Sequence, residues 1–210
     1  MSGAAAMGEM MRAEDLDEAE FLHLALRATA TDRHDEAISL LKRMAAAFPG
    51  NANAHYLLGA EHAQIGLYDR AFEELTEALR LQPQLEAARF QLGLLHLTSG
   101  HLSEAETVWS PLDQLAVDDP LRVFKSALVH LIHDELQQCA RELRAGIGLD
   151  GGSLALKNDM ERLLADVERR FAGDSVESSG TAVPLIHVPL PSSGIALKTY
   201  DRNRDGGAAD

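Results

Sequence analysis

The sequence predicts an all-α protein built as a short array of helical hairpins. Small and apolar residues recur at a spacing of about 34 residues, the repeat period, and glycines and prolines keep their places in successive copies. A period of this length accommodates one helix, a tight turn and a second helix. The copies span 18–51, 52–85, 86–119 and 120–153, and the last of them is degenerate.

Small residues inside the helices of the second copy indicate how its two helices meet. The dipeptide at 58–59, Leu-Gly, recurs at 92–93, and Ala71 recurs as Ala105. Glycine costs about 1 kcal/mol relative to alanine in a helix interior, so its presence there requires a packing reason. We expect Gly59 and Ala71 to lie at the close crossing of the two helices, where a larger side chain would separate the backbones.

Glycine and proline also mark the ends of the elements. We expect Gly66 and Gly100 to stop the first helices of their copies in the left-handed conformation. Pro49 and Pro83 separate successive copies, because proline disfavours helix in the residue before it. In the third copy Val117 stands where the preceding copies have proline.

One further helix is predicted after the array, over 153–171, with Ser153 as its N-cap. Its apolar face comprises Leu154, Leu156, Met160, Leu163, Leu164 and Val167. Lys157, Asp159, Glu161, Arg162 and Glu168 are expected mainly on the opposite face. Repeat arrays need a terminal element that buries the last apolar face, and this helix fits that role. The array with this helix covers 15–171, preceded by a frayed segment, 1–14.

These features resemble the tetratricopeptide repeat (TPR) family. The family pattern has a small residue in the first helix, alanines in the second and a proline at the end. The 52–85 copy matches it best, through Leu58, Gly59, Ala71, Ala78 and Pro83. The resemblance covers about two-thirds of the chain and implies a superhelix of about four hairpins, with the first helix of each on the concave side.

In that family, positions 2, 5, 9 and 12 of each copy tend to line the concave groove, and positions 5, 9 and 12 lie on one helical face. The residues at these positions that we predict to bind a partner form the apolar stripe: Leu22, Leu26, Tyr56, Phe90, Leu94, Leu97, Phe124, Leu128 and Leu131. The stripe is either buried within the array or an open groove for an extended or helical peptide. The recurrence of an aromatic residue at position 5 in three successive copies favours the groove.

The composition changes from residue 172 onward. A polar linker leads to an apolar, proline-containing segment, 183–200, within the flexible tail 172–210. Its prolines exclude a helix and favour an extended conformation. The tail is either disordered or a docking segment for the protein's own groove or for a partner, anchored by Leu185, Val188 and Leu190. We expect it to dock on the groove in cis, or in trans within a homodimer.

Composition and charge exclude several classes of function. With 19 Lys and Arg against 33 Asp and Glu, the net charge is −14. A surface this acidic repels phosphate backbones, so nucleic acid and anionic membranes are not expected partners. The sequence has no basic signal region and no apolar run of about 18 residues, so no membrane insertion is expected. The single cysteine, Cys139, excludes an internal disulfide framework, and a cytoplasmic location is expected.

Catalytic and cofactor-binding motifs are not identified. The run GIGLDG at 146–151 matches a dinucleotide fingerprint in letters only, because a helix rather than a strand precedes it; a loop is expected there. His62, His96 and His130 recur one per copy, too far apart to share a metal ion. We expect them to pack between helices, and Cys139 to be a buried structural thiol. No enzyme activity, cofactor or metal is predicted.

The predicted function is therefore that of a non-enzymatic interaction module, meaning a scaffold, adaptor or assembly factor. It would grip an apolar segment of a protein or peptide, either its own tail or a partner's. Basic residues flanking that segment would complement the acidic surface. The alternative is a chaperone for a secreted or assembled client, because small acidic TPR chaperones of bacterial secretion systems resemble this chain in charge and groove.

Overall fold

The computed structural model describes residues 16–149 and 154–171, and within these ranges every regular element is helical. The helices are α1 Glu18–Thr29, α2 His34–Ala47, α3 Ala52–Gln64, α4 Tyr68–Leu81, α5 Glu86–Thr98, α6 Leu102–Trp109, α7 Pro120–Ile132, α8 Leu136–Gly148 and α9 Leu154–Phe171. The all-α prediction is confirmed. None of these helices is both long and apolar enough to cross a membrane. The segment 1–14, the tail 172–210 and Ser153 lie outside the described residues.

Helices pair in chain order into four hairpins, and the hairpins stack. Each second helix packs against the first helix of the next hairpin, and α3 and α7 both contact α5. The helix starts in each series are separated by one repeat period: Glu18, Ala52, Glu86 and Pro120 for the first helices, and His34, Tyr68, Leu102 and Leu136 for the second. We call α1, α3, α5 and α7 the inner layer, and α2, α4, α6 and α8 the outer layer.

Every hairpin turns at a residue in the left-handed conformation. The φ angle is 78° at Gly66 and 80° at Gly100, which confirms the prediction that these glycines stop their helices. Asp32 and Asp134, with φ of 55° and 58°, stand in the same register in the first and last hairpins. In each turn the next residue donates its N–H back to the first helix, as Leu67 does to the His62 carbonyl oxygen at 2.8 Å.

Alanine in place of Gly66 is expected to lower the free energy of unfolding by about 1 kcal/mol, because a β-carbon is disfavoured in the left-handed region. No atom lies within 4 Å of the position that this β-carbon would take, so crowding contributes nothing. Gly50→Ala is the matched control, since Gly50 also faces open space and its φ lies outside that region. Urea denaturation of the two variants measures the difference, and equal effects would refute the conformational explanation.

Glycine in the inner layer allows the close crossing within each of the two central hairpins. A β-carbon on Gly59 would lie 2.8 Å from Leu75 Cγ and 3.3 Å from the Ala71 carbonyl oxygen. In the third hairpin, a β-carbon on Gly93 would lie 2.0 Å from Trp109 Nε1. The prediction that Gly59 marks a close helix crossing is confirmed.

The third hairpin departs from the others in its second helix. Helix α6 has only eight residues, and a 3₁₀ segment, Ser110–Gln114, continues the chain. Pro111 lacks the N–H that would continue the α-helical hydrogen-bond ladder, so the helix changes geometry there. Leu112 is nevertheless buried, at the register that Ala78 occupies in the second hairpin.

Helix α9 covers the end of the array by packing against α8. Leu156, Met160, Leu163 and Val167 are buried, whereas Leu154 is 75% exposed and does not belong to the apolar face. The placement of Asp159 on the polar face was wrong, because Asp159 is only 3% exposed. Asp159 stands three residues after Leu156 and four before Leu163, both of which are buried, so the helical period places it on the covered face.

The loop expected over GIGLDG is also wrong in its first half, because α8 continues to Gly148. A β-carbon on Gly146 would lie 2.8 Å from Met160 Sδ and 3.1 Å from Val123 Cγ1. The small residue therefore allows α7, α8 and α9 to meet, and this explains glycine near the helix end without any ligand.

Candidate functional site

The apolar stripe is largely buried in this structure. Seven of its members are at most 5% exposed: Leu22, Tyr56, Phe90, Leu94, Phe124, Leu128 and Leu131. Leu26 and Leu97 are half-buried and pack against the same core. The structure therefore brings the stripe together along the inner layer, while its contact with a partner stays a prediction.

An aromatic cluster forms the centre of the stripe. The Phe90 ring lies 5.4 Å from the Phe124 ring and 6.1 Å from the Trp109 ring, measured between centroids. Trp109 donates its indole N–H to the Phe90 carbonyl oxygen at 2.9 Å. Burial also raises the pKa of the Tyr56 phenol above its usual range. Phe90 thus links the third and fourth hairpins, and it serves the core whether or not a partner contacts it.

Burial differs sharply between the two layers. Ten of the 13 residues of α3 are buried, including the run 56–63, which is more than two helical turns. Eight of the 13 residues of α5 are buried, whereas α4, in the outer layer, buries only three of its 14. Every side of α3 is therefore shielded from water over 56–63, while α4 follows the usual one-sided pattern of a surface helix.

A buried carboxylate joins the first two hairpins. Glu61, 3% exposed, accepts from Thr29 Oγ1 at 2.5 Å and lies 2.8 Å from His34 Nδ1 through its other oxygen. Thr29 lies at the end of α1 and His34 begins α2, so Glu61 on α3 fixes the second hairpin to both helices of the first. Sequence reasoning missed this group, because position 10 of the copy carries no conspicuous pattern.

The Glu61 group holds a hydroxyl, a carboxylate and an imidazole, but the hydroxyl and the carboxylate lie in the interior of the array. The Thr29 hydroxyl is bonded to the carboxylate and to the Ala25 carbonyl oxygen, and the imidazole contacts the other carboxylate oxygen. Both Thr29 and Glu61 are buried, so the hydroxyl is not presented to a substrate. The group is therefore an inter-hairpin connection.

The three recurring histidines, His62, His96 and His130, each contact different neighbours. His62 is buried, His96 packs edge-on against Phe72 at 4.8 Å, and His130 Nδ1 is 2.6 Å from Glu135 Oε2. Burial lowers the pKa of both His62 and His96. Over 16–149 and 154–171, no three potential ligands come together in a group that could hold a metal ion.

Cys139 is a buried thiol in α8, as predicted. Burial raises its pKa to about 11. Because the thiolate is the reactive form, this thiol is unreactive near neutral pH. The anchors predicted in the tail, Leu185, Val188 and Leu190, lie outside the described residues.

Known structures share this fold. No family model and no curated protein matches the sequence. Among solved structures, MamA from Desulfovibrio magneticus RS-1, from residue 41 to its end, has a TM-score of 0.54 at 15% identity, covering 92% of this chain and 99% of that chain. The MamA RS-1 ArsTM double mutant has a TM-score of 0.54 at 17% identity, with the same coverage. A further MamA structure has a TM-score of 0.51 at 17% identity, covering 92% of this chain and 97% of that chain. This similarity shows a TPR-like helical-repeat fold.

Proposed function

We propose that this chain is a non-enzymatic scaffold that holds an apolar protein segment along its stripe. The observation that carries the proposal is the burial of α3, in which ten of 13 residues are buried. In an array of two layers, each layer covers one face of the other. Since the run 56–63 of α3 is buried on its remaining face as well, that face is suited to a covering segment and not to open water.

The segment that we propose for this face is the chain's own 183–200, in cis or in trans within a homodimer. It is the apolar part of the tail, and Leu185, Val188 and Leu190 supply its anchors. The linker 172–182 has 11 residues and can reach about 36 Å when extended, enough to return from α9 toward the middle of the array. A partner would then compete with the tail for the stripe.

Charge sets the expected chemistry of such a partner. With a net charge of −14, the scaffold favours apolar segments flanked by basic residues. These flanking charges would accelerate association and make it salt-dependent, while apolar burial supplies most of the affinity.

We expect a labelled peptide of residues 182–200 to bind a full-length chain carrying Leu185→Asp, Val188→Asp and Leu190→Asp, because these changes release the chain's own tail. The unmodified chain should bind it at least about tenfold more weakly, since its tail competes. Fluorescence polarisation measures both affinities.

Leu97→Glu, added to the tail variant, tests whether the stripe is the site. Leu97 is half-buried on α5, so the change alters the stripe without leaving a cavity in the core. A charge at this position should weaken peptide binding by about tenfold or more. Thr76→Glu on the exposed face of α4 is the matched control. If the tail variant does not bind the peptide, the tail proposal fails. If it instead keeps one apolar client soluble, the chaperone alternative is supported.

A further inference from the structure

An apolar slot lies on the outer face of the first hairpin. Its volume is about 610 Å³, and α1 and α2 both contribute to its walls. Leu16, Leu24 and Leu40 form its apolar part, and Glu20 and His23 lie among its polar lining residues. At the opposite end of the array, α9 covers the last hairpin. The first hairpin has no equivalent cover among the described residues.

The corresponding face of the second hairpin is covered. One repeat period later, the counterparts of Glu20, His23 and Leu24 are Ala54, Leu57 and Leu58, all of which are buried. Helix α2 packs against α3 there. The slot is therefore the place at which a second helix would stack if another hairpin preceded α1.

The N-caps of α1 and α3 stand at the same register of the repeat. Asp17 caps α1 by accepting from the Glu20 N–H at 2.8 Å, and Glu20 accepts from the Asp17 N–H at 2.9 Å. Asn51, the counterpart of Asp17 in the next copy, caps α3 by accepting from the Ala54 N–H at 3.0 Å. Both helices therefore begin at the same register, so the repeat alignment extends to the start of α1.

Residues 1–13 stand in the register of a second helix, one repeat period before 35–47. Met7 corresponds to four residues that are buried in their hairpins: Leu41, Leu75, Trp109 and Leu143. Met10 corresponds to Met44, Ala78, Leu112 and Gly146. Gly146 lies against α7, the first helix of its hairpin, and against α9, the helix that follows. Met7, Met10 and Met11 share one helical face, and methionine fills irregular apolar spaces well.

In place of the frayed segment expected from the sequence, we propose that residues 3–13 form a single helix equivalent to the second helix of a hairpin. It stacks on the first hairpin and fills the slot with Met7, Met10 and Met11. The array of hairpins then has one unpaired helix at each end: the helix over 3–13 at the start and α9 at the finish. With the methionines in the slot, the α1 end of the array exposes no apolar surface on which a second copy of the chain could dock. Gly8 weakens the helix in isolation, so its formation depends on docking. This inference is independent of the proposed function.

Hydrogen exchange of the full chain, read by mass spectrometry, tests the stacking. Amides of residues 5–13 should exchange at least about tenfold more slowly than in an unstructured peptide. Met7→Glu should abolish this protection and speed exchange over 16–24, with the rest of the array unchanged. Ala5→Glu is the matched control, because its counterparts, Ser39, Glu73, Thr107 and Arg141, are not buried.

Three results would overturn the proposal. The first is the absence of protection over 5–13 in the unmodified chain, and the second is an equal loss of protection in both variants. The third is protection that rises with protein concentration, which would mean that a second copy occupies the slot. Protection that is independent of concentration and lost only in Met7→Glu supports the intramolecular helix.

Discussion

Gly93→Ala is expected to lower the free energy of unfolding by about 3 kcal/mol. The added β-carbon would lie 2.0 Å from Trp109 Nε1, far inside contact distance. Trp109 is fully buried and cannot turn toward water. The ring must shift, and its hydrogen bond to the Phe90 carbonyl oxygen is lost. Overpacking of a core costs about 1–3 kcal/mol and a lost hydrogen bond about 1 kcal/mol.

Trp109 is the only tryptophan of the chain, so its fluorescence during urea denaturation reports directly on this crossing. Gly148→Ala is the control, because a β-carbon there meets nothing within 4 Å and alanine favours helix. In a Trp109→Leu background, Gly93→Ala should cost much less, since a smaller side chain opposes it. An equal cost in both backgrounds would contradict the proposed clash.

Asp159→Asn is expected to stabilise the protein above neutral pH and to have little effect near pH 4. Burial raises the pKa of the Asp159 carboxyl to about 7, although Arg162 lies nearby and acts in the opposite direction. Its Oδ2 has no hydrogen-bond partner, and its nearest cation is Arg162, 3.8 Å from Oδ1. In the unfolded chain this carboxyl ionises near pH 4.

The sign of the pH dependence follows from these two pKa values. Below about pH 4 the carboxyl is protonated in both states, so it does not affect folding. Between about pH 4 and 7 only the unfolded state is ionised, so stability falls as the pH rises and then levels off. The variant should therefore gain about 2–4 kcal/mol over the unmodified chain at pH 8.

Urea denaturation at pH 4.5 and pH 8 measures this difference. Glu161→Gln removes the same charge from an exposed position on α9 and should change stability little at either pH. The lowered pKa values of His62 and His96 make every variant less stable at acidic pH, so they cancel in the comparison. A gain of equal size at both pH values would show that Asp159 is not protonated in the folded protein.

The architecture could be read from the sequence because it depends on local chemistry repeated at a fixed spacing. Glycine stops a helix by its backbone freedom alone, and Gly66 and Gly100 do so here. Gly59 could be placed at a crossing because glycine destabilises a helix interior unless a close approach requires it. The start of α7 at Pro120 follows from the repeat period even though the fourth copy is degenerate.

The candidate site was less accessible to the same reasoning. The sequence identified the members of the stripe but could not decide whether its apolar face would be open or covered. Periodicity shows which residues share a helical face, whereas burial depends on what packs against that face. Phe90 is the clearest case, since its neighbours Trp109 and Phe124 come from two other helices.

The sequence by itself determined the period, the turn glycines and the positions of small residues, because these follow from backbone conformation within one hairpin. Only the tertiary structure decided that Glu61 joins two hairpins, that Asp159 turns inward and that the run 56–63 of α3 is buried on every side. Each of these depends on atoms from different helices meeting in space. The spacing of residues along the chain does not show which atoms of different helices are in contact, so these three features could be identified only from the packed array.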